Sequence, residues 1–240
     1  MIRKTLMLTL IGSSFFYAHA DFNPQQKKDI QSVIKEYLVN TPEILEEAMT
    51  ALQAKRQKEK ETNATAIILK KQKELFQSAT DPILGNPKGT KEIVVFLDPF
   101  CGHCRRFHEV LDKAVKNNSD LRVVVKDLPV LGEPSAMAVM ALLTAHLQGE
   151  QAYDALQSKI MEAEAPLSKD DFIKIASQIS GIDTKKFAKD VDSDQVSSQM
   201  KATLALAQEI GVNGTPSLII GNNFIEGGMS YEDLMKALGK

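Results

Sequence analysis

The chain has 240 residues, 43% hydrophobic, 25% charged and 6% aromatic, a globular composition that excludes a disordered tail, a collagen-like repeat or a small disulfide knot. Its 29 basic and 31 acidic residues give a net charge of −2, without the basic excess of a nucleic-acid binder. The length suits one catalytic domain plus an accessory segment.

Arg3 and Lys4 precede an apolar run over residues 6–17, and Ala18-His19-Ala20 follows it. A positive start, a short apolar stretch and an A-x-A site predict a secretory signal cleaved after Ala20. The run is shorter than the ~20 residues needed to span a bilayer, and no later stretch is long and apolar enough. Cleavage leaves 27 basic against 31 acidic residues, a net charge of −4. An exported chain without membrane insertion is the expectation.

Residues 21 to about 80 read as helical. Ile30, Val33, Ile34, Tyr37 and Leu38 follow an i, i+3, i+4, i+7, i+8 pattern, and Ile44, Leu45, Ala48, Met49 and Leu52 continue a second stripe. The run from Lys55 to Glu61 is polar all round and reads as a solvated face, before Ile67, Ile68, Leu75 and Phe76. If residues 42–78 form one helix it extends ~55 Å. Such stripes must dock on the rest of the chain or on another copy of it. A homodimer is expected, with a trimer as the alternative, because helical pairing alone does not fix the number of chains.

Turn residues at Asp81-Pro82 and from Gly85 to Gly89 mark a boundary, and the period then changes. Ile93-Val94-Val95-Phe96-Leu97 reads as a strand buried on both faces. Helical spacing returns at Phe107, Val110, Leu111, Ala114 and Val115, and residues 121–125 read as a second strand, completing a βαβ unit. Residues from about 131 to 210 read as helices. Two short strands about a Gly221-Asn222-Asn223 turn follow, then a last helix capped by Ser230. The design is an α/β domain over residues 81–240 with a helical insertion.

The only two cysteines, Cys101 and Cys104, flank Gly102 and His103 where the first long strand gives way to its helix. A bridge this short constrains the unfolded chain little, so the pair reads as chemical rather than structural. A helix N-terminus stabilises an anion and lowers a thiol's pKa, and three residues of spacing suit a reversible disulfide. His103 adds a polarisable or cationic group beside the sulfur, and Arg105 and Arg106 add charge nearby. Cys101 is expected to exchange with substrate and Cys104 to resolve the mixed disulfide. The competing reading is a zinc site using Cys101, Cys104 and His108. It lacks a second cysteine pair, and His108 reads instead as a polar residue on the helix's exposed side.

The segment Phe96-Leu97-Asp98-Pro99-Phe100-Cys101-Gly102-His103-Cys104 resembles the active-site strand and helix start of thioredoxin-fold oxidoreductases. Gly211-Val212-Asn213-Gly214-Thr215-Pro216 resembles their second motif, whose proline is cis. With the insertion, the resemblance covers residues 81–240 and points to DsbA-like periplasmic proteins. The N-terminal extension is similar to that of the oligomeric, ScsC-type branch and serves the purpose of the dimerisation domain in DsbC and DsbG isomerases. The resemblance implies a thioredoxin-like fold, a redox-active Cys101–Cys104 disulfide modulated by Gly102, His103, Thr215 and Pro216, and no cofactor beyond the dithiol and no metal. It implies exported cysteine-containing clients and membrane redox partners of the DsbB or DsbD type. One departure stands out: the family's buried carboxylate six residues before the first cysteine is here Val95, while Asp98 follows the isomerase pattern. The expected function is disulfide formation and isomerisation in the periplasm. The alternative is a chaperone or a copper- or zinc-handling protein using the same thiols.

Overall fold

Alternate side chains of residues 93–97 have two apolar layers to enter, and this places a strand there. In the computed structural model, which describes residues 22–163 and 167–239, β1 (Ile83–Gly85), β2 (Lys91–Leu97), β3 (Leu121–Asp127), β4 (Ser217–Ile220) and β5 (Asn223–Glu226) form one sheet in the order β1-β3-β2-β4-β5. The expected signal over residues 1–20 lies outside the described residues. β2 and β3 run parallel, with Ile93 beside Val123 and Leu97 beside Asp127, and the other pairings are antiparallel.

Ile93, Val95 and Leu97 face one layer with Leu121, Val123, Val125 and Leu218. Val94 and Phe96 face the other with Val124 and Ile219. The unbroken apolar run of β2 is thereby explained: both faces of the strand are covered.

Among the described residues, seven helices after β2 complete the part of the chain that carries the site. The crossover α4 (Gly102–Lys116) joins β2 to β3, and α10 (Tyr231–Ala237) contributes Leu234 and Met235 to the same layer. The insertion between β3 and β4 consists of α5 (Glu133–His146), α6 (Glu150–Glu162), α7 (Lys169–Ala176), α8 (Thr184–Asp190) and α9 (Asp194–Ile210). Ser168 and Asp171 form a reciprocal capping box on α7, and Ser230 caps α10, both at positions legible in the sequence. Gly211, at φ 88°, ends α9 in a left-handed conformation that costs a residue with a Cβ.

The N-terminal region is two helices and a fragment rather than one long helix after Pro42. They are α1 (Pro24–Asn40), α2 (Glu43–Lys70) and α3 (Gln72–Phe76), with Lys71 breaking the second from the third. Asn23 and Gln26 form a capping box around α1, and Pro24 occupies its first turn. The chain divides into compact units between Lys55 and Arg56, well before the turn-rich stretch at 81–89. The physical reason is burial: Ala64, Ile68, Leu75 and Phe76 pack with Val94, Phe96, Val124 and Ile219 against one face of the sheet. In the first unit, Ile30, Val33, Ile34 and Tyr37 are 41–65% exposed and α1 buries no side chain. Leu45, Met49 and Leu52 are exposed as well. Among the described residues, no helix is long and apolar enough to cross a membrane.

Candidate functional site

β2 ends at Leu97, and residues 98–100 turn the chain into α4, with Cys101 as the residue before the helix. The Cys101 N–H donates to the Asp98 carbonyl at 3.1 Å, and its own carbonyl accepts from the Arg105 N–H at 3.0 Å. The first helical bond is therefore made from outside the helix, and the Cys101 side chain is half-buried. Cys104, three residues later, falls on the apolar stripe of α4 with Phe107, Leu111 and Ala114, and is fully buried. One cysteine faces outward and the other faces the core because helical periodicity divides them.

This division sets their acidity. Burial opposes ionisation of Cys101, but hydrogen bonding from the Cys104 N–H, the Thr215 side chain, the Cys104 thiol and the His103 N–H outweighs it and holds the thiol below its ordinary value. For Cys104 burial dominates and pushes the thiol up to about 12, despite hydrogen bonding from Thr215 and the Asp98 N–H. The latter bond is 3.4 Å long, from the Asp98 N–H to the Cys104 sulfur.

The Thr215–Pro216 peptide bond is cis, and Thr215 lies against the pair: the Cys101 thiol donates to its carbonyl at 3.4 Å. The Thr215 hydroxyl oxygen is buried and has no hydrogen-bond partner. Rotation of that hydroxyl supplies a donor to either sulfur once it ionises, so that Thr215 favours the thiolate at both cysteines. The structure thus brings Cys101, Cys104 and Thr215 into direct contact, with Gly102 and His103 in the first turn of α4 and Pro216 beginning the approach to β4.

Two expectations change. The His103 ring turns to Arg106, whose Nη2 donates to His103 Nδ1 at 2.9 Å. A guanidinium only donates, so Nδ1 is the acceptor in this contact, and the group that His103 offers to Cys101 is its backbone N–H. His108 is not on the exposed side: its side chain is only 12% exposed, with Nε2 3.7 Å from Asp112. Among the described residues no group of three or more His, Cys, Asp or Glu side chains is placed to hold a metal ion.

Asp98 has a role that the sequence leaves open. It is fully buried, and its carboxylate accepts four hydrogen bonds: from the Phe100 N–H at 2.9 Å and the Ser135 hydroxyl at 2.8 Å on Oδ1, and from the Val130 and Leu131 N–H groups at 2.7 and 3.1 Å on Oδ2. It clamps the turn before Cys101 to the loop between β3 and α5. Asp127, at the end of β3, escapes sequence reasoning altogether because nothing in the local pattern separates it from a strand-end turn residue. It is buried, accepts from the Tyr153 hydroxyl at 3.0–3.1 Å, and is pushed up to about 7 by burial, a shift that Tyr153 opposes. Arg105 is anchored by its bonds to the Pro99 and Ala163 carbonyls and lies over the Phe100 ring.

Three comparisons with known proteins bear on this site. A family model described as Thioredoxin matches residues 77–240, and one for the N-terminal domain of the copper resistance protein ScsC matches residues 26–59. Among solved structures, ScsC of Proteus mirabilis in a transitional conformation is 28% identical, covering 91% of this chain and 97% of that one, with a TM-score of 0.66. A thioredoxin-like oxidoreductase from Silicibacter pomeroyi is 30% identical, covering 70% and 95%, with a TM-score of 0.64. The ClpXP adapter protein SpxH of Staphylococcus epidermidis is 27% identical over 165 residues, 62% of this chain and 62% of that protein's length.

Proposed function

The chain belongs to the thioredoxin family, and from that premise we propose that it is an exported thiol:disulfide oxidoreductase that forms and isomerises disulfide bonds in other exported proteins through Cys101 and Cys104. The observation that carries this reading is the asymmetry of the pair. An outward-facing thiol held below its ordinary value sits beside a buried one pushed up to about 12. The first is suited to attack a client disulfide or to leave from a mixed one, and the second to close the internal disulfide once a base or a neighbouring thiolate removes its proton. Gly102, His103, Thr215 and Pro216 modulate the exchange. The exposed stripes of α1 and α2 support assembly into a homodimer, with a trimer as the other solution, and this would hold two or more active sites around one client. Clients are cysteine-containing exported proteins, and membrane partners of the DsbB or DsbD type recycle the pair in the periplasm.

Trapping tests the assignment. Cys104→Ala is expected to accumulate mixed disulfides between clients and Cys101 on non-reducing gels, and Cys101→Ala almost none. The reverse pattern would exchange the two roles. Wild-type protein that neither oxidises a reduced multi-cysteine client nor unscrambles a mispaired one would overturn the function. A second reading has one observation in its favour, the match of residues 26–59 to the ScsC N-terminal domain: a chaperone, or a copper- or zinc-handling protein, whose soft thiolates take the metal. Replacing both cysteines separates the two, since holdase activity survives and disulfide exchange does not.

A further inference from the structure

Beside the cysteine pair lies a pocket of about 300 Å³ whose walls come from α4 and from the loop between β5 and α10. His103 and Arg106 line one side, and Phe107 and Met229 give it an apolar floor. The loop lies flat on the Phe107 ring because residue 228 is glycine: a Cβ there would stand 3.0 Å from the ring. The same loop is tied to the cis-proline, the Gly227 N–H donating to the Pro216 carbonyl at 2.9 Å. The pocket is therefore bounded on one side by the residue between the two cysteines and on the other by a loop bonded to the segment that faces Cys101.

Its lining includes the cationic Arg106 and no carboxylate. Arg106 is exposed, and its Nη2 donates to His103 Nδ1. Among the described residues it has no ion pair with a carboxylate, and it lacks the two backbone carbonyls that anchor Arg105. A guanidinium keeps its charge at every physiological pH and receives a carboxylate through two parallel N–H groups. With His103 fixing its orientation, Arg106 stands ready to receive an anion one helical turn from the motif.

We propose that this pocket is a specificity subsite for an acidic side chain next to the client cysteine that exchanges with Cys101. This rests on the oxidoreductase reading and adds a preference to it. In the step concerned, a client thiolate attacks the Cys101 sulfur of the oxidised pair. A client–Cys101 disulfide forms, the Cys101–Cys104 bond breaks, and Cys104 leaves as a thiolate that takes up a proton. A second client thiolate then attacks the client sulfur of that mixed disulfide and releases the Cys101 thiolate. The client loses two electrons and the pair gains them. The carboxylate in the pocket forms no bond in these steps. It raises the population of clients aligned for the first attack.

The test uses the full chain, oxidised, against three short peptides that each carry two cysteines and differ only in the neighbour of the first: Glu, Gln or Lys. Acid quenching and mass spectrometry give the rate at which each peptide is oxidised to its internal disulfide. At low ionic strength the expected order is Glu, then Gln, then Lys. In Arg106→Gln the Glu-to-Lys rate ratio falls about two- to fivefold, the range of an exposed ion pair, and in Arg106→Lys much of it is retained. Salt near 1 M shrinks the wild-type ratio towards that of the variant. A change in Cys101 acidity alters all three rates together and leaves the ratio alone, so the ratio reports the subsite. An identical ratio in wild type and Arg106→Gln overturns the subsite while leaving the oxidoreductase reading intact. Exchange with none of the three peptides overturns both.

Discussion

At the scale of single residues, the two cysteines differ because one precedes α4 and the other lies on its buried stripe. His103 is informative here, since its contribution to Cys101 is a backbone N–H and its ring is occupied with Arg106. Replacing His103 by proline deletes that N–H and leaves the position compatible with a helix's first turn. The Cys101 thiol is then expected to ionise at higher pH, and the pair to become more reducing, because a less stabilised thiolate favours the disulfide. Alkylation of the reduced protein against pH should show wild-type Cys101 reacting below the usual range near 8.5 and the variant's midpoint displaced upward. Equilibration with glutathione should move the potential in the same sense. An unchanged midpoint would place the stabilisation in the Cys104 N–H and Thr215 alone. Cys104, near 12, should stay unmodified throughout that range.

At the scale of elements, the end of β3 sends two buried ionisable side chains into different layers. Lys126 donates to Asp81 and, at 2.6 Å, to the Glu74 carbonyl, which ties α3 and the chain before β1 to the sheet. Asp127 enters the opposite side with Tyr153 of α6, whose hydroxyl also accepts from the Gln157 amide at 2.7 Å. Because burial raises the folded-state value of Asp127 to about 7, the folded protein holds a proton that the unfolded chain has released above about 4. Its contribution to stability is thus full below pH 4 and declines as the pH rises to about 7, by on the order of 4 kcal/mol. Asp127→Asn cannot ionise, so its melting temperature should fall less between pH 4 and 7 than that of wild type, as followed by circular dichroism. Equal slopes in the two proteins would remove Asp127 as the source.

At the scale of the whole molecule, the exposed stripes of α1 and the start of α2 are the feature one copy of the chain leaves unfinished. Ile30, Val33, Ile34, Tyr37, Leu45, Met49 and Leu52 are each at least 41% exposed, and apolar side chains exposed in a row along a helix mark an interaction site. Light scattering of the full chain is expected to give a dimer, and a chain beginning near Arg56 a monomer that keeps simple dithiol oxidation and loses most isomerisation. A chain beginning at Asp81 lacks Ile68, Leu75 and Phe76, each a buried side chain whose loss costs about 2–5 kcal/mol, and should not fold stably. A monomeric full chain, or an Arg56 chain that still associates, would remove the N-terminal helices as the assembly element.

Local rules suffice for what the sequence determined by itself. The apolar run of β2, the period change into α4, the caps at Ser168 and Ser230 and the placement of Cys101-Gly102-His103-Cys104 at a helix start all depend on neighbours within a few residues. Tertiary structure alone decided the rest. The similar apolar residues of Ile30–Leu38 and of Ile67–Phe76 meet different fates, the first exposed and most of the second buried against the sheet, because only the second has a sheet face to cover. Asp98 becomes a clamp only when the loop from β3 arrives with the N–H groups of Val130 and Leu131. Asp127 acquires its raised value only when the insertion packs over it and excludes water, against the opposing hydrogen bond from Tyr153. Hydrogen-bond partners and desolvation are properties of segments far apart in the chain, and no pattern within either segment encodes them.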